Sequence, residues 1–497
     1  MTEFFIPPFP AGLTRSPDPA HDRQQGDEPR RAASWGVSLS AEWRLYADDQ
    51  EVPVYSTPVT RGGPHSFAKL RLAQPGSEQP GFAQPGFAQP SGTVRFRAVR
   101  DSAEPIGSVS VLPSSLGCTP SFEGHEVFFS LSGTGSATLL TDGCDDCPLT
   151  VLLLPPREKT PRSSLYFGPG LHTLSWLDLN DGDTLVVDDG AVVTALPPDE
   201  VPVRASDWAG MPNYRDFIAA DHRKDVSVRG GGILDFSLLD WHARNPIVFR
   251  DCETVTVEDV TLVNAPAWNL DFMGCRGVRA DSVSIFGYRE NSDGIDIVSS
   301  EEVTVTNCFI RTGDDAVAVK AMLPPPRCGG RGIRVSRCAV WNDKVRCFGI
   351  AAESRNDITD VRFEDCDVLR SYADWTTELG SLVVYICDRG RVSDITFEDI
   401  RIEHEVHLAA NVLITHDKWS SDSEAGSIRG VVFRNIDVKP KVGSRVAGYD
   451  AGHTAEGIRF ENFRVEGKTA RSAEEAGIEI CPFTSDVCVQ AECEKAL

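Results

Sequence analysis

Hydrophobic and polar residues alternate in short runs along almost the whole chain, which predicts β-strands and few helices. Between residues 37 and 155 turn residues separate the runs VSLSAEWRLY, SFAKLRL, TVRFRAV, EVFFSLS, ATLLT and LTVLLL. Short alternating runs at this spacing are typical of an antiparallel β-sandwich. We therefore predict a β-sandwich domain over residues 36–160. Residues 1–35 are rich in Pro, Asp and Arg, and they predict a disordered or wrapping N-terminal arm.

A different pattern follows, in which one template recurs as two short strands around a bend at Asn, Asp or Gly. Its copies are VTVEDVTLV from residue 255, VRADSVSIF from 278, VTVTNCFIR from 303, IRVSRCAVW from 333, VRFEDCDVL from 361, ITFEDIRIE from 395, VVFRNIDVK from 431 and IRFENFRVE from 458. A third strand completes each period. Because such repeats stack and no helical pattern intervenes, we predict an all-β fold with a right-handed parallel β-helix over residues 161–470. Residues 471–497 are expected to form a C-terminal tail.

The template also explains three of the 14 cysteines. Cys308, Cys338 and Cys366 share one template position with apolar residues, namely Val260, Val283, Ile400, Ile436 and Phe463. These thiols are therefore expected to fill the interior rather than bind metal. Cys144 and Cys147 form a lone CxxC pair, which is weak support for zinc. We predict no metal site and no cofactor.

Charge and hydropathy narrow the choice of partners. The 497 residues carry a formal net charge of -24, which argues against nucleic acid or an anionic membrane as a partner. No run approaches the ~18 apolar residues of a membrane span. The N-terminus lacks a basic start followed by an apolar core, so we expect no secretory signal and a cytoplasmic location. The sequence leaves the oligomeric state open.

Four aspartates lie close together in NSDGIDIVSSEEVTVTNCFIRTGDDAVAVK, residues 291–320. The third-strand segment DGIDIV at Asp293 aligns with DAVAVK at Asp315, and strand alternation turns Asp296 outward. Adjacent coils lie ~4.8 Å apart, so Asp293, Asp314 and Asp315 should form one outer cluster in which at least one pKa rises. A protonated carboxyl beside ionised ones suits glycosidic cleavage. Ordinary turn chemistry and a Ca²⁺ site, as in β-helical lyases, remain alternatives.

The segments NSDGID and GDDAVAV, with Asp314 following Asp293 by 21 positions, resemble the polygalacturonase family, glycoside hydrolase family 28. The segments GGGILDFSLLDW from residue 230 and NAPAWNLDFMGC from residue 264 also resemble that family, and the likeness spans roughly residues 164 to 467. The resemblance implies that Asp314 is the general acid. It also implies that Asp293 and Asp315 activate water for single displacement with inversion. The distance rule for carboxylates one coil apart would by itself suggest retention.

Two departures from that family concern the substrate. Where polygalacturonases have Gly-His-Gly, this chain has Phe348 in the segment CFGI, and their Arg-Ile-Lys motif has no counterpart in SLVVYICDR from residue 381. The expected partners of a galacturonate carboxylate are thus missing. Three aspartates behind an N-terminal sandwich resemble glycoside hydrolase family 49, the dextranases and isopullulanases. We therefore expect an inverting hydrolase of a neutral α-linked glycan or oligosaccharide. A uronate-specific hydrolase, a β-helical polysaccharide lyase and a binding module without chemistry are the alternatives.

Further substrate-binding candidates flank the aspartates. Lys320 and Asp296 follow them on their strands, Arg346 and Glu353 bracket Phe348, and Trp268 precedes them by one coil. A sugar-binding role for each competes with a solvated charge, a surface ion pair or a packing role. The longest insertions hold Tyr372, Trp375, His416, Asp417, Lys418 and Trp419. The lengthening loops after residue 333 suggest a wall at one end of the cleft and an exo enzyme.

Overall fold

The computed structural model describes residues 4–15, 36–73, 82–83, 92–158, 165–205, 210–324, 329–373 and 376–491. Within these ranges the regular structure is β, apart from one 3-10 turn at Ser114–Leu116. Two small strand pairs, Phe82–Ala83 with Arg157–Glu158 and Arg204–Ala205 with Pro212–Asn213, lie outside the main sheets. No helix in the described part is long and apolar enough to span a membrane.

Residues 165–490 form a right-handed parallel β-helix with three sheets. Sheet I contains Leu165–Phe167, Thr184–Val187, Lys224–Arg229, Glu253–Glu258, Arg276–Asp281, Glu301–Thr306, Arg331–Ser336, Ile358–Glu364, Arg391–Glu398, Ser427–Arg434, Ala455–Glu461 and Thr484–Gln490. Sheet II contains Gly170–Leu174, Ala191–Ala195, Ile233–Asp235, Thr261–Val263, Ser284–Phe286, Phe309–Thr312, Ala339–Asn342, Asp367–Ser371, Arg401–Ile402, Asp437–Val438, Arg464–Val465 and the antiparallel Lys468–Thr469. Sheet III contains Leu177–Asp178, Ile218–Asp221, Ile247–Arg250, Leu270–Met273, Ile295–Val298, Val317–Ala321, Arg346–Ser354, Gly380–Ile386, Leu408–Ile414, Gly443–Ala447 and Ile478–Ile480.

The bend between sheets I and II explains the polar residue of the repeated template. In all eight copies the bend residue has a positive φ, between 50° and 74°: Asp259, Ser282, Asn307, Arg337, Asp365, Asp399, Asn435 and Asn462. Asn and Asp tolerate this left-handed conformation better than other non-glycine residues. The template is therefore one strand, one left-handed residue and a second strand on the next sheet.

The interior of the β-helix consists of stacked apolar side chains. Cys308, Cys338 and Cys366 are at most 2% exposed and belong to the interior cluster, as the template predicted. Phe363, Phe397, Phe433 and Phe460 form a second stack, with neighbouring ring centroids 4.9–5.1 Å apart. Parallel coils bring equivalent residues into contact, so each coil stabilises the next.

The β-sandwich has one sheet of Ser38–Leu39, Tyr55–Thr57, His65–Leu72, Leu149–Leu154, Gly135–Thr141 and Val109–Leu112. Phe4–Phe5 of the predicted arm also pairs with His65–Leu72. The second sheet contains Ser121–Glu123, Glu126–Ser132, Thr93–Arg100, Trp43–Ala47 and Gln50–Val52. The sandwich is not wholly antiparallel as expected, since Leu149–Leu154 pairs in parallel with His65–Leu72. Residues 16–35 of the arm lie outside the described ranges.

The sandwich packs against the outer face of sheet II through a mixed apolar and charged interface. Phe67 stacks on Phe286 with a centroid distance of 4.4 Å. Arg311, at 1% side-chain exposure, donates to Asp343 and to His65 Nδ1. Arg311 and Asp343 both belong to the β-helix, and their buried ion pair fixes the guanidinium. Arg311 then joins the two domains through its hydrogen bonds to His65 Nδ1 and to the Arg61 carbonyl.

Two details differ from the expected boundaries. The predicted tail from residue 471 is wrong for residues 478–490, because Ile478–Ile480 extends sheet III and Thr484–Gln490 extends sheet I. Its segments lack the nine-residue template, yet Ala476 and Ile478 still fill the interior. In the lone CxxC pair, Cys144 is exposed while Cys147 is buried. The Cys147 carbonyl accepts a hydrogen bond from Trp43 Nε1.

Candidate active site

The outer face of sheet III carries the aspartates that the sequence analysis singled out. Strand register pairs Ile295 with Val317 and Val317 with Phe348, and these three side chains point into the interior. Two positions before these residues stand Asp293 and Asp315, at the entry to their strands, and Arg346, at the start of its strand. Coil stacking therefore places two carboxylates and one guanidinium in a column, with Asp314 at the edge of the same turn.

Asp293, Asp314 and Asp315 form one cluster. Carboxylate oxygens of the three lie within 4.8 Å of one another. Asp293 and Asp315 are each 3% exposed, whereas Asp314 is half-buried and so is the most accessible of the three. The cluster thus combines two enclosed carboxylates with one that a ligand reaches from solvent.

Arg346 is committed to Asp315. Its Nε donates to Oδ1 at 2.6 Å and its Nη2 donates to Oδ2 at 2.8 Å. This is the two-pronged geometry in which a guanidinium fits a carboxylate best. Because both groups are nearly buried, the pair fixes the orientation of Asp315.

Lys320 neutralises the other side of the cluster. Its Nζ lies 3.1 Å from Asp293 Oδ2 and 2.7 Å from Asp296 Oδ1, and it is only 2% exposed. The Trp268 ring covers the ammonium at 3.6 Å from the ring centroid. One cation therefore serves two carboxylates, while Asp293 Oδ1 has no hydrogen-bond partner among the described residues.

Asp314 has no ion-pair partner among the described residues and is held by backbone groups. Its Oδ2 accepts from the Asn291 amide at 3.2 Å, and its Oδ1 accepts from the Asp315 amide at 2.9 Å. The turn itself is fixed by Asn342, whose Nδ2 donates to the Asp314 carbonyl at 2.6 Å and to the Arg346 carbonyl at 2.8 Å.

Burial and mutual repulsion shift the ionisation of this cluster. Burial, and next the charge of Asp315, raise the pKa of Asp314 to about 6. Burial raises the pKa of Asp296 to about 7 although Lys320 opposes the rise. Burial also raises the pKa of Asp293 well above its usual range, again against the effect of Lys320. The expected rise thus affects several carboxyl groups, and the cluster binds at least one proton in weakly acidic solution.

The acidic surface extends beyond these residues. Asp271 is the register partner of Asp296, is fully buried, and accepts from Asn245 Nδ2 at 2.6 Å. Burial, and then the charge of Asp296, raise the pKa of Asp271. Glu353 is half-buried and close enough to favour the charged form of Lys320. The site is therefore rich in carboxyl groups, with Lys320 and Arg346 as their cationic partners.

All eight predicted site residues lie at or beside this cluster, although their roles in binding and catalysis stay predictions. Arg346 contacts a carboxylate of the protein, as an ion pair would, rather than facing an open cleft. Trp268 presents one ring face to Lys320, so that face is not free for a sugar. Phe348 is fully buried and packs against Phe363 in the interior. A side chain at position 348 therefore points away from the site, and Arg346 is the basic residue that meets Asp315.

The sequence analysis missed two residues that fix the site. Thr60, from the sandwich, donates through Oγ1 to the Tyr288 carbonyl at 3.1 Å and packs against Gly313 in the turn that carries Asp314. The second is Asn342, whose amide ties together the turn around Asp314. Thr60 lies in another domain and has no local pattern that would reveal it. The fully buried Asn342 follows Asp314 by about one repeat, which is the signal that a repeat alignment offers.

Fold and site together define a right-handed parallel β-helix with a carboxylate cluster on its outer face. Residues 240–481 match the family model "Glycosyl hydrolases family 28", so the resemblance expected from the sequence is confirmed. A polygalacturonase of Chamaecyparis obtusa is 27% identical over 315 residues, covering 58% of this chain and 54% of that protein. The chain thus spans about half the length of this curated relative.

Two solved structures share the fold. An exopolygalacturonase of Thermotoga maritima aligns with a TM-score of 0.51 at 17% identity, covering 67% of this chain and 85% of that one. Dex49A from Penicillium minioluteum aligns with a TM-score of 0.54 at 11% identity, covering 99% of both chains. The second alignment includes the region of the sandwich, so the fold is shared along almost the whole of both chains. The right-handed parallel β-helix is confirmed.

Proposed function

We propose that this chain is a glycoside hydrolase that cleaves α-glycosidic bonds of a neutral glycan or oligosaccharide with inversion. One observation carries the choice of a neutral substrate. The two cations at the aspartates, Lys320 and Arg346, are already paired with Asp293, Asp296 and Asp315. A uronate carboxylate would enter a surface rich in carboxyl groups without an unpaired cation among the described residues of the cluster, and its burial there would be costly.

The roles of the three aspartates follow from their surroundings. Asp314 is the most accessible of the three and has no ion-pair partner among the described residues, so it is the group placed to donate a proton to the glycosidic oxygen as the C–O bond breaks. Asp293 faces Lys320, which favours its ionised form, with one oxygen, and its Oδ1 has no hydrogen-bond partner in the described part of the chain. In that ionised form Asp293 accepts a proton from the attacking water. The water oxygen then bonds to the anomeric carbon. Asp315, held by Arg346, stabilises the positive charge of the transition state.

Inversion rests on the family resemblance. The carboxylate oxygens lie within 4.8 Å of one another, which is closer to the about 5–5.5 Å separation typical of retaining enzymes than to the about 6.5–9.5 Å of inverting ones. The anomeric configuration of the first product must therefore be measured to decide between inversion and retention.

A uronate-specific hydrolase is the second candidate, because curated relatives are named polygalacturonases. A β-helical lyase is the third, and it would need a basic residue to remove a proton from the sugar ring. Lys320 is surrounded by carboxylates that raise its pKa and keep it charged, which argues against it as that base. The cytoplasmic location expected from the sequence stays a prediction.

The test is incubation of the full chain with isomalto-, malto- and oligogalacturonate hexasaccharides, followed by ¹H NMR of the first anomer and ultraviolet absorbance. We expect hydrolysis of a neutral α-glucan with the β-anomer appearing first. Hydrolysis of oligogalacturonate alone would replace the substrate assignment, and a retained anomer would refute inversion. An ultraviolet-absorbing product would identify a lyase.

A further inference from the structure

The outer face of sheet III is covered on the C-terminal side of the aspartates. The outward position of Asp296, Ala318 and Gly349 continues in the next two coils with Val383 and Asn411. Both of these residues are fully buried. Because they lie on the outer surface of the helix, other segments of the chain must lie over them.

The first covering segment is residues 376–379, which precede the strand Gly380–Ile386. Asn411 Nδ2 donates to the carbonyl oxygens of Thr377 at 2.9 Å and Leu379 at 3.0 Å. Arg445, one coil further, donates through Nη2 to the same Thr377 carbonyl. Leu379 is 1% exposed and packs with Val345 and Ala373. Asn411 and Arg445 thus hold this segment over the N-terminal half of the sheet III strands.

The second covering segment is residues 415–422, which follow the strand Leu408–Ile414. Tyr385 donates its hydroxyl to Asp417, and Trp419 packs on the outer cluster that contains Val383, Tyr385 and Leu413. Asp388 accepts from the amides of Ser421 at 2.6 Å and Asp422 at 2.9 Å. This segment therefore covers the late half of the same strands.

Both segments are held close to the aspartate cluster. Gly380, which directly follows the first segment, is the register partner of Arg346. The Tyr385 ring, which anchors the second, lies 5.6 Å from the Arg346 guanidinium. Since one coil rises ~4.8 Å, the covered surface starts about one coil beyond the Asp315–Arg346 pair.

We infer that residues 376–379 and 415–422 form a wall that closes one end of the substrate cleft, so that the chain removes sugars from a chain end. A polymer cannot continue past Arg346 along sheet III, because Asn411 is covered by the backbone of residues 376–379 and Val383 lies in the cluster that Trp419 covers. Asn411 and Arg445 are then specificity-determining residues, since they hold the wall without contacting the aspartates. The inference rests on the proposed hydrolase function.

The test uses a hexasaccharide of the hydrolysed sugar, labelled with a fluorophore at its reducing end, and chromatography of early products. Action at a chain end yields one labelled product at first, either the pentasaccharide or the labelled end unit. The double variant Asn411→Ala/Arg445→Ala loosens the wall, and we expect it to lose the single-product pattern. Arg429→Ala is the matched control, because that arginine is 78% exposed and pairs only with Glu456 on sheet I.

Several labelled products of different length from the unmodified chain at early times would overturn the inference while leaving the hydrolase function intact. No hydrolysis of any hexasaccharide in the panel would instead refute the proposed function. If the double variant fails to fold, as judged by its thermal transition, the product pattern of the unmodified chain decides alone.

Discussion

The Arg346–Asp315 pair allows one prediction with a worked magnitude. Replacing Arg346 with Gln removes a charge that reaches Asp315 through two hydrogen bonds of 2.6 and 2.8 Å, with Asp315 itself 3% exposed. Opposite charges about 4 Å apart interact by about 4 kcal/mol at the effective dielectric constant of roughly 20 that suits such sites. If that interaction holds Asp315 in the orientation that stabilises the transition state, its loss lowers kcat by about 10²- to 10³-fold after partial relaxation.

Steady-state kinetics on the hydrolysed hexasaccharide separates positioning from substrate binding. A residue that orients Asp315 lowers kcat and leaves KM within a few-fold, whereas a residue that grips the sugar raises KM and spares kcat. We expect the first result, with Arg346→Lys intermediate because it keeps the charge and loses the two-pronged contact. Arg334→Gln on sheet I is the control, since Arg334 pairs with the exposed Asp360. A raised KM with unchanged kcat would refute the reasoning and would show that Arg346 binds the substrate.

Three further predictions concern protonation and metal. Because Asp314 must be protonated and its pKa is raised to about 6, kcat/KM should fall as pH rises through about 6; a rate that keeps rising to pH 8 would contradict this. Asp296 has a folded-state pKa of about 7, above the ordinary value, so the stability it contributes is present at low pH and is lost as pH rises through about 7. The thermal midpoint should therefore fall between pH 5 and 8, and Asp296→Asn should make that fall shallower; an unchanged slope would exclude Asp296 as its source. Chelation by EDTA should leave hydrolysis unchanged, and loss of activity restored by Ca²⁺ would show that the aspartates hold a cation.

The repeat and the aspartate cluster were predictable because both are encoded locally. A bend residue every 23 to 36 positions marks each coil, and the left-handed conformation at Asn307 and its equivalents explains why that residue is polar. Once the coils stack, residues about one repeat apart must meet. The proximity of Asp293 to Asp315 follows from that rule, as does the outward direction of Asp296.

Contacts between distant segments could not be predicted from the sequence. The partner of Arg346 depends on how its side chain bends back across one coil, and periodicity does not determine this. Thr60 reaches the turn of Asp314 from another domain, 228 positions from its acceptor Tyr288. The final coil around Ile478 lacks the template, so a search for the repeat stops too early. The inward direction of Phe348 appears only when the strand register is known.

The central claim is that Asp314 is the proton donor of a hydrolase, and Asp314→Asn tests it most directly. Asn has the same shape but cannot donate the acid proton, so kcat on the hydrolysed hexasaccharide should fall by about 10²-fold or more while calorimetry shows retained binding. Asp360→Asn, at a 58% exposed aspartate on sheet I, should behave like the unmodified chain. Unchanged turnover by the Asp314→Asn variant would contradict the account.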